Sequence, residues 1–597
     1  MAEIIAVKAR RKAVIVPVLC GAMAMAGASQ QASAQAVELH PAPVVTGAQV
    51  ASISTQALET RLTDGTPLGV SVAGLMVVDS HANGTQARAK TGAGINTTLA
   101  GQTAQTADFK ALLRKYVGQP LSYKLIGAIE AEVTKYYRDH GRSLVLVTVP
   151  PQEITSGVLQ LNVNTFVLEQ TVVQGAKGNG QGYVASQIRV KPGQEVDTST
   201  LLDDVNWLNL NPFRHVSVVF EPGASVDSTR LTLQVQNGRP WSAYAGFANS
   251  GTRDTGLVRL FTGFNISALP WQDQQLSYQF NIAPEALSHG NLWNAGKSKG
   301  YVTHALSYFV PLTFSNGFRM KATVGVNHIS SYSDPGGVFT SKTTTDGATG
   351  ELSFPLPRNA GTWTLVPELF LGVAANYYDR TQFGAGNPIS QENTRITHVE
   401  IGVRSALNGK LFGTPTHGNV EISLTSGRQS TDIAIVPFAK VHSQSNYSYV
   451  KASINQELMF PGEHALALRF AMQYSGDDLH ALEQMSVGGD GTVRGYPTNA
   501  ASSQSAGAFS VEYRLKPISV PLGKATGRFR PHVFADVGVA DQTKTSLTEH
   551  LASVGLGAEL AVGENLIAKM DVAHALEAAG DTKSGTTFVA FQLTARF

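Results

Sequence analysis

Cysteine is almost absent from this chain of 597 residues: there is one, Cys20, close to the N-terminus. Beyond it there is no thiol, so no disulfide and no cysteine-based metal or redox site can form. Charge is also scarce. Asp, Glu, Lys and Arg make up 15% of the chain, against roughly 25% in ordinary soluble proteins. The formal net charge of +2 offers no basic excess for nucleic acid. No segment beyond the N-terminal one runs for about 18 uninterrupted apolar residues, so a membrane-spanning helix is not expected. The signatures of common chemistry are missing too. There is no G-x-x-x-x-G-K-[ST], H-E-x-x-H or G-x-S-x-G, and no defensible metal cluster among the 15 histidines. The "GGDGT" stretch has no Lys-Ser/Thr after it and cannot act as a phosphate loop. These absences predict a protein that is not an enzyme and holds no metal and no cofactor.

What the chain does have is glycine, 58 residues of it, and a mean hydropathy of -0.04. Moderate hydropathy with little charge suits a membrane β-barrel, whose lipid-facing and lumen-facing residues alternate and average out. The first 36 residues read as a secretory signal peptide. Lys8, Arg10, Arg11 and Lys12 precede an apolar core at 13–28, and A-x-A cleavage sites end at Ala34 and Ala36. Residues 37–66, rich in Ala, Thr, Ser and Gln, read as a linker with a possible short helix at 48–62.

Residues 67–164 read as a small α/β unit. A strand is expected at 68–79. Helices are expected at 106–118 and 122–141, the second carrying Leu125, Ile129, Val133 and Tyr136 on one stripe and stopping at Gly141. Strands at 143–150 and 157–164 follow. Residues 165–238 repeat this order: strand 168–175, helices 182–190 and 198–211, strands 216–223 and 229–236. Thr198 or Ser199 is the expected N-cap of the second helix. Two consecutive β-α-α-β-β units form a structural repeat.

From Pro240 the pattern changes, and no convincing helix is expected. Alternating segments recur, split by Gly, Asn, Asp and Ser. In "QLSYQFNI" (275–282), Leu276, Tyr278, Phe280 and Ile282 share one face. In "FVAFQLTARF" (588–597), Val589, Phe591, Leu593 and Phe597 share one face. About sixteen such segments start near 241, 257, 273, 301, 318, 345, 362, 392, 418, 445, 464, 505, 527, 551, 565 and 586. An even number of strands of ~10 residues with a dyad repeat is the signature of a transmembrane barrel. Only a closed barrel pairs every backbone group in lipid. A large soluble all-β domain is the alternative, and it would carry more Lys and Glu on its polar faces. The fold class is therefore α+β plus all-β: two β-α-α-β-β units, then a 16-stranded barrel over 239–597.

One loop stands out. "GGDGTVRGYP" (488–497) falls in a connection of ~30 residues, long enough to be functional or disordered. Gly488, Gly489 and Gly495 free the backbone for tight packing. Arg494 is either a solvated charge or a buried one, and a buried guanidinium requires a carboxylate. "RPHVFADVGVAD" (530–541) offers one. Asp536 shares a strand face with His532 and Phe534, and a carboxylate there is expected to face the lumen rather than lipid.

These residues carry a resemblance. Two small α/β repeats, about sixteen strands, "SVGGDGTVRGY" (486–496), "FADVG" (534–538) and a terminal Phe597 resemble the two-partner secretion transporters, also known as the TpsB family. That family belongs to the outer-membrane barrels with POTRA domains. Residues 240–269 also look like the family's first barrel hairpin. The resemblance implies a sixth extracellular loop folded into the lumen, with Gly488, Gly489, Val493, Arg494, Gly495 and Tyr496 as its motif. Asp536 and Gly538 would be its partners on the wall. It implies secretion of a large, unfolded exoprotein, haemolysin-like or adhesin-like, across the bacterial outer membrane without ATP. The client would be bound by periplasmic POTRA domains at 67–164 and 165–238, and a helix within 37–62 would plug the resting pore. The other implied partners are outer-membrane lipids and, during biogenesis, the barrel-assembly machinery, for which Phe597 is the C-terminal signal. The chain would be a monomer. Two alternatives stay open: a barrel insertase built on the same loop motif, and a loop that is only a clasp for barrel folding.

Overall fold

The computed structural model describes residues 64–597, apart from short stretches at 80–92, 143, 177–179, 226–227, 268–272, 289–290, 337, 359–362, 436–438, 524 and 543–546. The expected signal peptide and the expected helix at 48–62 lie outside the described residues.

In the first unit, local capping sets the helix starts. Thr106 accepts the N–H of Phe109 and opens helix Ala107–Arg114. Ser122 does the same for Leu125 and opens helix Tyr123–Asp139. This second helix stops where Gly141 turns to φ 82°, as its sequence predicts. Phe109, Leu113, Ile129 and Val133 pack on Leu75, Val77, Leu159 and Leu161 of the sheet. That sheet has four strands, in the order Gly94–Leu99, Gly74–Asp79, Val158–Thr165, Val145–Thr148. Strand Gly94–Leu99, parallel to its neighbour, is not anticipated by the sequence reading. Its Asn-Thr-Thr centre has no apolar alternation, and it sits at the sheet edge.

The second unit runs strand Val167–Gln174, helices Gly180–Ser186 and Thr198–Leu208, strands Arg214–Pro222 and Ser228–Asn237. Ser228–Asn237 is the centre of a three-stranded sheet. The cap of helix Thr198–Leu208 is Asp197, not Thr198 or Ser199. The Asp197 carboxylate accepts two backbone N–H groups, whereas the Thr198 hydroxyl donates to the carbonyl of Gly141 in the first unit.

The remainder is a closed barrel, sealed by strand Thr587–Arg596 pairing with strand Trp241–Ala248. Segments Ser505–Arg514 and Ile518–Leu522 both pair with Ala525–Gln542, so they form one interrupted wall strand and the barrel has sixteen. Alternation sorts the faces. On strand Ala525–Gln542, Val533, Val537 and Val539 point outward, while Phe534, Asp536 and Ala540 are buried inside. Strand lengths are unequal. Near the seam, Trp241–Ala248 has 8 residues and Thr587–Arg596 has 10. Across the barrel, Thr364–Gly384, Asn387–Leu411, Thr414–Ile435 and Ala439–Met459 have 21, 25, 22 and 21. One four-residue helix, Pro284–Leu287, occurs where none is expected. Proline at its first turn favours it locally.

The second unit is fastened to the near end of the barrel by buried ion pairs. Asp273, at the base of the wall, accepts Arg214 at 2.7 Å, Asn211 at 3.0 Å and the Tyr183 hydroxyl at 2.7 Å. Burial, with Asp273 beside it, pushes the Tyr183 phenol up from its ordinary value. Asp204 of the unit receives Arg319 of the wall at 2.8 Å, and Arg319 also covers the Trp207 ring.

Candidate functional site

The wall leaves the membrane early at Tyr474 and resumes at Ser505. The connection between them turns into the barrel. A short hairpin, Met485–Val487 with Ala501–Ser503, carries it, and residues 488–497 form the tip. Gly488 and Gly489 adopt positive φ where the tip leaves the hairpin, and the N–H of Gly489 donates to the carbonyl of Tyr496 at 3.1 Å. This closes the tip on itself.

Arg494 is 2% exposed. Its Nε and Nη2 donate to Asp536 Oδ2 and Oδ1 at 2.8 and 2.9 Å, a fork-to-fork pair. Its backbone N–H adds a third bond to Asp536 at 3.1 Å. Nη1 donates to Glu512 Oε2 at 2.5 Å, and Nη2 reaches the Ser510 hydroxyl at 3.2 Å. The guanidinium lies 3.4 Å above the centre of the Phe534 ring, a cation–π contact. Glu512 is shared with Arg514 at 2.7 Å, so the second carboxylate is also compensated. A buried charge is costly unless such partners surround it.

The neighbouring residues fit around this pair. Val493 is fully buried, and a side chain at Gly538 would collide with it: an added Cβ would stand 2.8 Å from Val493 Cγ2 and 2.5 Å from Val487 Cγ1. Gly538 is thus a point where the loop packs on the wall too closely for any side chain. Gly555 plays the same part for the Phe534 ring, which would lie 2.3 Å from its added Cβ. Gly495 takes φ 89° against Ala573 and Ser553. The Tyr496 hydroxyl lies 2.9 Å from the carbonyls of both Ala552 and Glu577, which share its single proton, and it accepts the Ala552 N–H at 3.2 Å. Thr498 reaches the Ser250 carbonyl beside the first wall strand. The tip therefore spans the inner wall from Ser505–Arg514 round to the seam. Phe597 lies elsewhere. Its backbone N–H donates to the Ala243 carbonyl at the seam, and its ring is exposed.

The structure brings Arg494, Asp536, Gly538, Val493 and Tyr496 together. Glu512, Ser510 and Phe534 complete the site and escape the sequence reading, although period-two alternation puts Phe534 on the Asp536 face. A second contact is also unforeseen. At the root of the loop, Glu483 accepts the Tyr449 hydroxyl at 2.7 Å and lies 3.2 Å from His398 Nδ1, both on the long strands. Leu479 and Leu482 pack there on Tyr378, Ile396, Tyr447 and Tyr449. Among the described residues no cluster of His, Cys, Asp and Glu is arranged to hold a metal ion.

Fold and site together define a class: a transmembrane β-barrel that holds its own sixth loop in the lumen and is fronted by small strand–helix units. The family described as haemolysin secretion/activation protein ShlB/FhaC/HecB matches residues 227–560, more than half of the chain. The ShlB-type POTRA domain matches residues 96–165. The chain belongs to this family, the outer-membrane transporters of two-partner secretion, whose POTRA domains lie in the periplasm. It is 20% identical over 501 residues to the heme/hemopexin transporter protein HuxB of Haemophilus influenzae, covering 80% of this chain and 82% of that one. It is 24% identical over 441 residues to the outer membrane transporter CdiB of Escherichia coli, covering 71% and 69%. Among solved structures, CdiB from Escherichia coli aligns at a TM-score of 0.64 with 17% identity, covering 92% of this chain and 93% of that chain. CdiB from Acinetobacter baumannii aligns at 0.59 with 13% identity, covering 92% and 94%. These two share the fold.

Proposed function

We propose that this transporter passes one large exoprotein, unfolded, through its own barrel without ATP, and that the Arg494–Asp536 pair is a working part of that passage. The observation that carries this is the burial of Arg494 inside the lumen on five hydrogen bonds to the wall and its carboxylates. A loop so placed stands in the path of any chain crossing the pore. In this reading two POTRA domains, 67–164 and 165–238, receive the client by adding it as a strand to an exposed sheet edge. The barrel, 239–597, then conducts it, and folding outside supplies direction. The chain works as a monomer and performs no chemical step. Phe597, at the seam, is the signal read by the barrel-assembly machinery.

The test is export in a strain co-expressing the chain with a candidate exoprotein client. Wild type is compared with Arg494→Ala, and barrel abundance and heat-modifiability are followed in parallel. Lost export from a normally folded barrel is the expected result. Loss of export and barrel together would reduce the pair to a folding clasp, and unchanged export would refute its role.

A further inference from the structure

The extracellular rim of the barrel is a staircase on one side and a cliff on the other. Reading from Gly300, each strand pairs to the top of the next: Gly300 with Tyr332, Ser333 with Ser341, Phe339 with Gly384, Ser390 with Ile435, Ile435 with Ala439. Then the wall drops. Strand Ala439–Met459 pairs from Ala439 to Leu458 with Thr414–Ile435, but strand Ala465–Tyr474 meets it only from Val450 downward. Residues 439–447 therefore form a sheet edge with no partner strand among the described residues, about 30 Å long at ~3.4 Å per residue.

Alternation shows which groups are free. Ser448 turns its backbone to the open side, where its N–H donates to Asp477 and its carbonyl accepts from Ser475. In an antiparallel ladder alternate residues point the same way. Asn446, Gln444, His442 and Lys440 thus aim their N–H and C=O groups outward, and among the described residues no strand pairs with them. Long flat edges are normally blunted by proline, bulges or clustered charge. This one has no proline between 439 and 449, its register with Thr414–Ile435 is unbroken, and Lys440 is its only Lys or Arg.

We propose that this edge receives an extended segment of the exported client as it leaves the lumen and pairs with it as an added strand. The proposal rests on the transport reading above. Two features favour the client as occupant. First, the edge is rooted on loop six itself, through Ser448 with Asp477 and Ser475, so a chain passing that loop meets the edge first. Second, residues 439–446 are exposed on both faces and polar in "SQSN" (443–446), which suits a hydrated polypeptide and neither lipid nor an apolar copy of this chain.

The chain has no thiol after Cys20, so single cysteines can be placed and armed with a photo-crosslinker. Ser443→Cys sits on the edge. Gln391→Cys is its control, equally exposed on the same sheet but paired on both sides, with Thr381 and Ala434. Both are tested in cells exporting the same candidate exoprotein client, with heat-modifiability confirming the barrel. The expected result is client adducts from Ser443→Cys and few from Gln391→Cys. Gln444→Pro, which removes one outward N–H and leaves the ladder to Thr414–Ile435 intact, is expected to slow appearance of protease-resistant client several-fold. Export at the wild-type rate with no adduct at 443, equal adducts at both sites, or adducts only to a second copy of the chain would overturn the edge proposal and leave the transport reading standing. If the wild-type chain exports nothing, the transport reading falls and takes this proposal with it.

Discussion

On the short side of the barrel, loop six is held by charge. Arg494 meets Asp536 through two parallel bonds and Glu512 through a third, with Phe534 beneath. On the long side the same loop is held mainly by packing. Leu479 and Leu482 bury themselves among tyrosines, and Glu483 is bonded to a neutral hydroxyl and stands beside His398. The two attachments differ in what they tolerate. A guanidinium fork is directional, so a small displacement breaks it. An apolar contact is non-directional and survives sliding. The tip is therefore the attachment that fixes one geometry, and the root is the one about which the loop can shift.

The largest effect is expected from breaking the tip. Asp536→Ala leaves a buried cation with Glu512 as its one hydrogen-bonded carboxylate and Asp571 3.9 Å away, and removing one partner of a buried pair costs about 3–5 kcal/mol. The heat-modifiable form should unfold at clearly lower temperature, and export should fail. The double variant Arg494→Met/Asp536→Leu sharpens the point. It removes both charges, so it should recover most of the stability while export stays lost. Recovery of export as well would make the pair a structural clasp. Next in size is Gly538→Val. Its side chain must displace Val487 and Val493, a cost of ~1–3 kcal/mol for overpacking. The loop should leave the wall, and an external protease should cut within 488–497 in this variant and not in wild type.

How much of this contrast could be read from sequence follows from the physics of each side. The short wall was legible because its strands lie within lipid, where alternation is enforced residue by residue. Expected starts at 241, 464, 505 and 586 meet observed starts at Trp241, Ala465, Ser505 and Thr587. The long wall was legible only in its lower half. Starts expected at 345, 392 and 445 fall inside strands that begin, at their extracellular ends, at Phe339, Asn387 and Ala439. Above the bilayer both faces meet water, the apolar period disappears, and hydrogen bonding alone continues the strand. The Arg494–Asp536 pairing was legible because a buried guanidinium needs a carboxylate and the family resemblance supplied one. Glu512 was not, because "SVEYR" reads as an ordinary alternating strand and nothing local marks its glutamate as a partner. The root was hidden for a different reason: His398, Tyr449 and Glu483 are scattered over 85 positions, and only barrel closure brings them together.

The root should respond less than the tip. Glu483→Gln keeps an acceptor for Tyr449 and loses the charge beside His398, a change of about 1–2 kcal/mol at a buried hydrogen-bonded group. Loop residues 477–484 should gain mobility, read by a spin label at Ala481→Cys, while the Arg494 pair persists. If Glu483→Gln instead matched Asp536→Ala in its effect on export, the root would be as directional as the tip. Smallest is Tyr496→Phe. The ring stays buried, but the carbonyls of Ala552 and Glu577 lose their shared donor, at a cost of ~0.5–1.5 kcal/mol. A slight drop in unfolding temperature with export retained is expected, because Tyr496 only steadies a tip that Arg494 already positions. Loss of export in Tyr496→Phe would mean that the hydroxyl, and not the ion pair alone, sets the geometry of the loop.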